Sequence, residues 1–230
     1  MVLLCALTLV FSPQTRAGEY NLSVSAFGTL TTSSKLFPNP NARDDFLRGS
    51  FSPMNTIFSL GADIRGNVPP LGIRIGLSSE LISRNVTSSV PNTGGTIPIE
   101  DGYTAVPVEL TGYFRIPVGG ESLDFYMGGG GGVYLGGRRY RYAGVEAGTL
   151  DRSLNFGIHV LSGLEVRLAG RFALRTELKF RNIQLETSQR FSAAVAVYRE
   201  TTVPLPQEIL RSRIQIDGMN LVAGIVYRLP

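Results

Sequence analysis

The feature that most constrains this chain is the stretch from Phe156 to Phe180, FGIHVLSGLEVRLAGRFALRTELKF, where apolar and polar residues alternate almost without a break. Phe156, Ile158, Val160, Leu164, Val166, Leu168, Phe172, Leu174, Leu178 and Phe180 hold even positions, while His159, Glu165, Arg167, Arg175, Glu177 and Lys179 hold odd ones. A period of two belongs to a strand, whose successive side chains leave opposite faces, and not to a helix. Ala169, Gly170 and Arg171 divide the stretch into two strands. A three-residue turn, with Gly170 at positive φ, pairs Leu168 with Phe172, Val166 with Leu174 and Val160 with Phe180. The same register sets Glu165 opposite Arg175, an acid and base pair that favours a sheet by about 0.2–1 kcal/mol. Strands of about a dozen residues exceed the ~5–6 of ordinary sheets. They match the ~9–11 tilted residues that cross a bilayer.

The alternation recurs along the chain. It predicts strands from Leu22 to Leu30, Phe58 to Arg65, Ile73 to Leu81, Val106 to Ile116, Leu123 to Leu135 and Asn220 to Leu229, which with the hairpin make eight. Short connections follow the second, fourth and sixth. Long ones follow the others, near 31–54, 84–102, 136–152 and 186–213. An even strand number with short turns at one end and long loops at the other is the pattern of a transmembrane barrel of the outer-membrane type. Short turns and both termini then face the periplasm. The alternation changes parity between Phe180 and Ile183 and between Ile216 and Met219, which we read as bulges or as strand ends above the membrane.

Val2 to Phe11 form an apolar run, and Thr15-Arg16-Ala17 supplies small residues around a cleavage point, so residues 1–17 resemble a secretory leader and 18–230 the barrel. Cys5 lies within that leader, so the expected mature chain has no thiol for disulfides or thiolate metal sites. A net charge of +4 at a pI near 9.4 is too small a surplus, with too short a basic cluster, to indicate nucleic acid.

With VPVELTGYFRIP at 106–117, LDFYMGGGGGVYL at 123–135 and NLVAGIVYRL at 220–229, the chain resembles the small bacterial outer-membrane β-barrel proteins, including the PorT-like group. The resemblance covers the whole mature chain. It implies an eight-stranded antiparallel up-and-down barrel, residence in a bacterial outer membrane, and outer-membrane lipid, lipopolysaccharide and the barrel-assembly machinery as partners. Where such barrels commonly end on an aromatic residue, this chain ends Tyr227-Arg228-Leu229-Pro230.

Alternation alone also suits a soluble, lipocalin-like barrel with its apolar face inward. Small residues decide between the two. Ser23, Ser25, Ser59, Gly61, Gly76, Ser78, Gly128, Gly130, Gly132, Gly157 and Gly163 all fall on the polar face. Small residues suit the crowded interior of an eight-stranded barrel, so the apolar face is expected to meet lipid. Asp63, Glu80, Glu109, Asp124, Glu165 and Glu177 then point inward with Arg65, Arg74, Arg115, Arg167, Arg175, Lys179 and Arg228. Near-balanced charges in a narrow, desolvating lumen must pair, which predicts a salt-bridged, largely closed interior; a narrow path for ions or very small solutes is the alternative.

The Gly128–Gly132 run lacks the lysine of a phosphate loop and the spacing of a dinucleotide fingerprint. His159 is the sole histidine, so no multi-histidine metal site is expected, and Ser162 lies on the opposite strand face from it. We therefore expect no catalytic residue, metal or cofactor. Arg138-Arg139-Tyr140-Arg141-Tyr142 begins where the fifth strand should leave the outer leaflet, and three guanidinium groups among interfacial tyrosines suit lipopolysaccharide phosphates. Ala193 to Tyr198 is too apolar for a plain loop and is expected to extend a hairpin or offer an edge to a protein partner.

Overall fold

The computed structural model of the chain describes residues 21–92, 95–118, 122–152 and 154–229; the expected leader lies outside the described residues. Eight strands form a closed antiparallel barrel: Leu22–Thr31 (β1), Ile57–Val68 (β2), Ile73–Asn92 (β3), Gly95–Ile116 (β4), Leu123–Tyr142 (β5), Asn155–Arg167 (β6), Phe172–Arg181 (β7) and Met219–Arg228 (β8). Each pairs with its neighbours in sequence, and β8 returns to pair with β1. Closure satisfies every strand edge at membrane depth, the condition a β structure must meet to cross hydrocarbon.

The β6–β7 hairpin has the register that the alternation requires. Leu168 N donates to Phe172 O at 2.9 Å, Val166 faces Leu174, Glu165 faces Arg175, Val160 faces Phe180, and Gly170 takes φ +63°. Phe156 and Ile158 are 76% and 75% exposed on the outer surface, whereas Glu165 and Arg175 are buried within. That orientation excludes the lipocalin-like arrangement, because the apolar stripe surrounds the barrel.

Inward aromatic rings are seated on inward glycines of neighbouring strands. Tyr126 lies opposite Gly163, Tyr113 opposite Gly128, and Phe27 between Gly61 and Gly224. A methyl group added at Gly163 or Gly61 would strike the Tyr126 or Phe27 ring. An eight-stranded barrel has little interior volume, and these glycines give it to tyrosine and phenylalanine.

The regions expected as long loops are mostly strand. Above the barrel, β3, β4 and β5 run on, Ser83 pairing with Thr104 and Tyr103 with Arg138. A second sheet of Ser52–Pro53, Lys35–Phe37, Leu210–Ile216, Ile183–Arg190 and Gly148–Arg152 faces them, in that order. These segments continue the barrel strands upward, and the interior they enclose is mainly apolar, with Arg138, Thr187, Gln189 and Ser212 as buried polar members. Leu36, Met54, Ile57, Ile82, Tyr103, Ala105, Tyr134, Ile183, Leu185, Ile214 and Ile216 form one core, and Ile97, Ala143, Ala147, Phe191, Ala196, Val203 and Leu205 a second. The 193–198 stretch enters this head as the hairpin Val195–Tyr198 with Thr201–Pro204.

The two expected bulges are absent from β7 and β8. Arg181, Ile183 and Leu185 are all buried, so the inward parity runs unbroken through Asn182; Ile214, Ile216, Asn220 and Val222 do the same on the way down. What changes is the chemistry of the inward face, from charged to apolar, at the level where the outer face passes from apolar to polar. The physical cause is the change of outside solvent, and the alternative reading of strand ends above the membrane is the one that holds.

Candidate functional site

The polar interior gathers into three tiers. In the middle tier Arg65 donates through Nε and Nη2 to Asp63 at 3.1 and 2.8 Å, and through Nη2 to Glu177 at 2.6 Å. Arg175 reaches across the lumen to Asp63 at 2.7 Å and lies 3.5 Å from Glu177. Ser25 donates to Asp63 at 2.5 Å, Tyr126 donates to Glu177 at 2.6 Å, and the Arg65 guanidinium lies 4.2 Å from the centre of the Tyr113 ring. Two acids and two bases balance, and neutral donors and a ring face add to the pairing. A buried set of charges is tolerable only under that condition.

In the upper tier Lys179 bonds Glu109 at 2.8 Å, Arg181 pairs with Glu80 and lies 3.7 Å from Glu109, and Tyr134 donates to Glu109 at 3.0 Å. Thr29 donates to Glu80 at 3.0 Å. This tier again holds two acids and two bases. In the lower tier, at the mouth beside the short turns, Arg228 bonds Glu165 at 2.5 Å and Arg74 lies 3.7 Å from the same carboxylate. Asp124 collects Arg115 at 3.3 Å, Arg167 at 3.6 Å and Arg228 at 3.8 Å. Here four arginines surround two acids, and water screens the surplus, because Arg115 and Arg167 are half-exposed.

Partner choice differs from what pairing on one hairpin would give. Glu165 and Arg175 face each other in register, yet Glu165 bonds Arg228 and Arg175 bonds Asp63. In a narrow closed barrel a long side chain finds carboxylates across the lumen as near as those beside it. Arg181, Thr29, Tyr126 and Tyr134 are members not expected from the sequence, and Ser25 is expected inward only as a small residue. The parity change after Phe180 hid Arg181; Tyr126 and Tyr134 alternate with Phe125, Met127, Val133 and Leu135, but nothing local shows what they bond.

His159 lies in the upper tier, buried, with Nε2 2.8 Å from Thr111 Oγ1 and Nδ1 3.9 Å from Glu109 Oε1. Ser162 is exposed on the outer face, away from it. Thr111, His159 and Glu109 have the order of a hydroxyl, base and orienting carboxylate, but all three are enclosed by the lumen side chains.

On the head, strand alternation divides the basic cluster. Arg138 turns inward, donates to both oxygens of Asp101 at 2.7 and 2.6 Å, and lies 4.4 Å from the Tyr140 ring centre. Tyr140 and Tyr142 pack against the upper apolar core, where burial pushes the Tyr140 hydroxyl above its ordinary pKa. Arg141 bonds Glu100 and Glu146, each at 3.0 Å, and stays half-exposed; Arg139 is exposed on the outer side. The five residues thus do not present three guanidinium groups on one surface, because Arg138 stands on the opposite face from Arg139 and Arg141.

No protein-family model matches this chain. No curated protein matches it either. Among solved structures it is similar to the outer membrane protein OprG of Pseudomonas aeruginosa, at 14% identity and a TM-score of 0.57, over 90% of this chain and 95% of that one. Neisserial surface protein A aligns at 10% identity and a TM-score of 0.47, over 90% and 97% of the two chains. Ail of Yersinia pestis aligns at 11% identity and 0.46, over 92% and 100%. The closed eight-stranded antiparallel barrel with an apolar outer belt is the fold of a small outer-membrane β-barrel protein. A belt of Phe58, Leu60, Leu110, Phe114, Ile158 and Ile225 is stable only against hydrocarbon, and the chain is an integral protein of a bacterial outer membrane.

Proposed function

We propose that this chain is a closed, non-catalytic barrel that anchors a structured head at the outer surface of the envelope and presents it to lipid and protein partners. The observation that carries the reading is the filling of the interior: two charge-balanced tiers lie beneath an apolar core of Leu36, Ile57, Ile82, Ile183 and Ile216. An ion crossing such a lumen would have to break buried ion pairs and then enter hydrocarbon-like packing. Each of those steps costs several kcal/mol. Purified barrel in planar bilayers is expected to give no unitary conductance. Reproducible single-channel steps would overturn the reading in favour of a narrow channel.

The enclosure of Thr111, His159 and Glu109 supports the non-catalytic part, since a reacting carbonyl has no route to the hydroxyl. Unchanged lipid A in a deletion strain is the expected result. Lipopolysaccharide contact rests on Arg139 and on the half-exposed Arg141, beside the exposed outer face of β5. Replacing both by alanine should lower lipopolysaccharide retention on the purified barrel. Retention equal to wild type removes these residues from the site. Membrane insertion by the barrel-assembly machinery belongs to the same reading; depletion of that machinery should leave the chain unfolded in the periplasm.

A further inference from the structure

The glycines at the centre of β5 divide by face into two groups with different reasons. On the inward side a methyl group at Gly128, Gly130 or Gly132 would run into the backbone of β4 or the Tyr113 and Glu109 side chains. The barrel's own packing requires those three. On the outward side the requirement lapses. A methyl group at Gly112 of β4 would meet nothing nearer than 3.9 Å, and one at Gly131 nothing nearer than 3.4 Å. Gly129 is tighter, with His159 O at 3.3 Å. Glycine in a strand forfeits roughly 0.5–1 kcal/mol relative to alanine. At Gly112 and Gly131 nothing inside the protein offsets that loss.

Their effect is on the lipid-facing surface. Gly112 pairs with Gly129, and Gly131 lies between Leu110 and Ile158, so the three make a continuous strip of bare backbone across β4 and β5. Ile75 and Leu77 of β3 rise on one side of it, and Phe156 and Ile158 of β6 on the other. The result is a groove of about 780 Å³, beginning at Ile73 beside the periplasmic turn and ending at Val133 and Phe156. It carries no charged side chain, and its one hydroxyl residue, Thr111, turns its oxygen inward to His159.

We propose that this groove seats one acyl chain of a periplasmic-leaflet phospholipid, held against the bare backbone of Gly112 and Gly131. The groove is continuous with the belt that already faces lipid, and a concave apolar strip in that belt is complementary to a single flexible hydrocarbon chain. Its lower end opens where phospholipid headgroups of the periplasmic leaflet lie. A second barrel is the poorer fit: the groove offers no polar side chain to fix a partner's orientation.

The test uses the whole barrel in vesicles of phosphatidylethanolamine doped with the same lipid carrying a diazirine on one acyl chain. Photolabelling is expected to concentrate on Leu110, Val133 and Phe156 over Phe58 and Leu60, by about tenfold, the ratio that burying one apolar group supports. The double variant Gly112→Leu with Gly131→Leu should abolish that preference while keeping heat-modifiable migration. If it does not fold, Gly112→Ala with Gly131→Ala, for which the backbone has room, should lower the preference in part. Uniform labelling around the belt, a preference unchanged in a folded filled variant, or protein–protein crosslinks at these residues in place of lipid adducts would each overturn the proposal.

Discussion

The lower and upper halves of this molecule share the three long strands β3, β4 and β5 and keep one inward parity, and they have opposite interiors. Below Arg181 the inside is ionic and the outside apolar; above it the inside is Ile183, Leu185, Ile214 and Ile216 and the outside is Gln184, Glu186, Gln215 and Arg213. Lys35 pairs with Asp217 at 3.7 Å and Arg213 with Glu186 at 3.2 Å on that outer wall. The backbone differs too, one closed sheet below and separate facing sheets above, but that difference does not set which face is apolar. The solvent does: hydrocarbon demands an apolar exterior and leaves polar groups the lumen, while water demands the reverse. A change of hydrophobic parity between successive strands that keep one inward parity therefore marks a membrane boundary here, where in a soluble sheet it would mark a bulge.

The contrast predicts that deleting one charge below should cost more than deleting one hydrophobe above. Arg175→Met leaves Asp63 and Glu177 short of a buried partner and should destabilise the barrel by roughly 3–5 kcal/mol, measured by urea unfolding of refolded protein in lipid. A loss below about 1 kcal/mol would mean that water enters the middle tier and the pairing is not what closes it. In the head, Ile214→Ala opens a cavity among Leu36, Ile183 and Leu185 and should cost about 2–4 kcal/mol. Limited proteolysis should show that loss in the head, with the heat-modifiable mobility of the barrel preserved.

The boundary itself can be located on one outward strand face. Leu178→Arg puts a charge in the lipid belt and should cost about 2–4 kcal/mol. Gln184→Arg, farther up the same chain on the same face, should stay within about 0.5 kcal/mol. Equal costs at the two positions would move the membrane boundary and with it the division into halves.

The smallest effect is a titration. Tyr103 lies in the head core, donates to Ser34 at 3.0 Å, and burial pushes its hydroxyl from 10.0 up to about 12. The folded head favours the protonated phenol, so this contribution is complete below pH 10 and is lost as pH rises toward 12. Tyrosinate absorbance at alkaline pH should include one late step that vanishes in Tyr103→Phe. A step already complete near pH 10 would mean that water reaches the core.

The alternation at Phe156–Phe180, with Gly170 as its turn, was sufficient to fix strand register, because a one-residue slip would send Val166 and Leu174 into the lumen beside Glu165 and Arg175. The same period, with small residues on the polar face, identified the lipid-facing side and an eight-stranded barrel. Which lumen charges meet was not legible. Ion pairing depends on distances across a closed cylinder, and Arg175 is 112 positions from Asp63 in sequence. Nor was the apolar head, since Ile57, Ile82, Ile183 and Ile216 become one core only after separate strands have been carried past the membrane together. Periodicity along a strand is a local property that each residue reports through its own side-chain direction. The closure of the barrel, the partners across its lumen and the reversal of its interior arise only when distant strands are brought together and the outside changes from lipid to water.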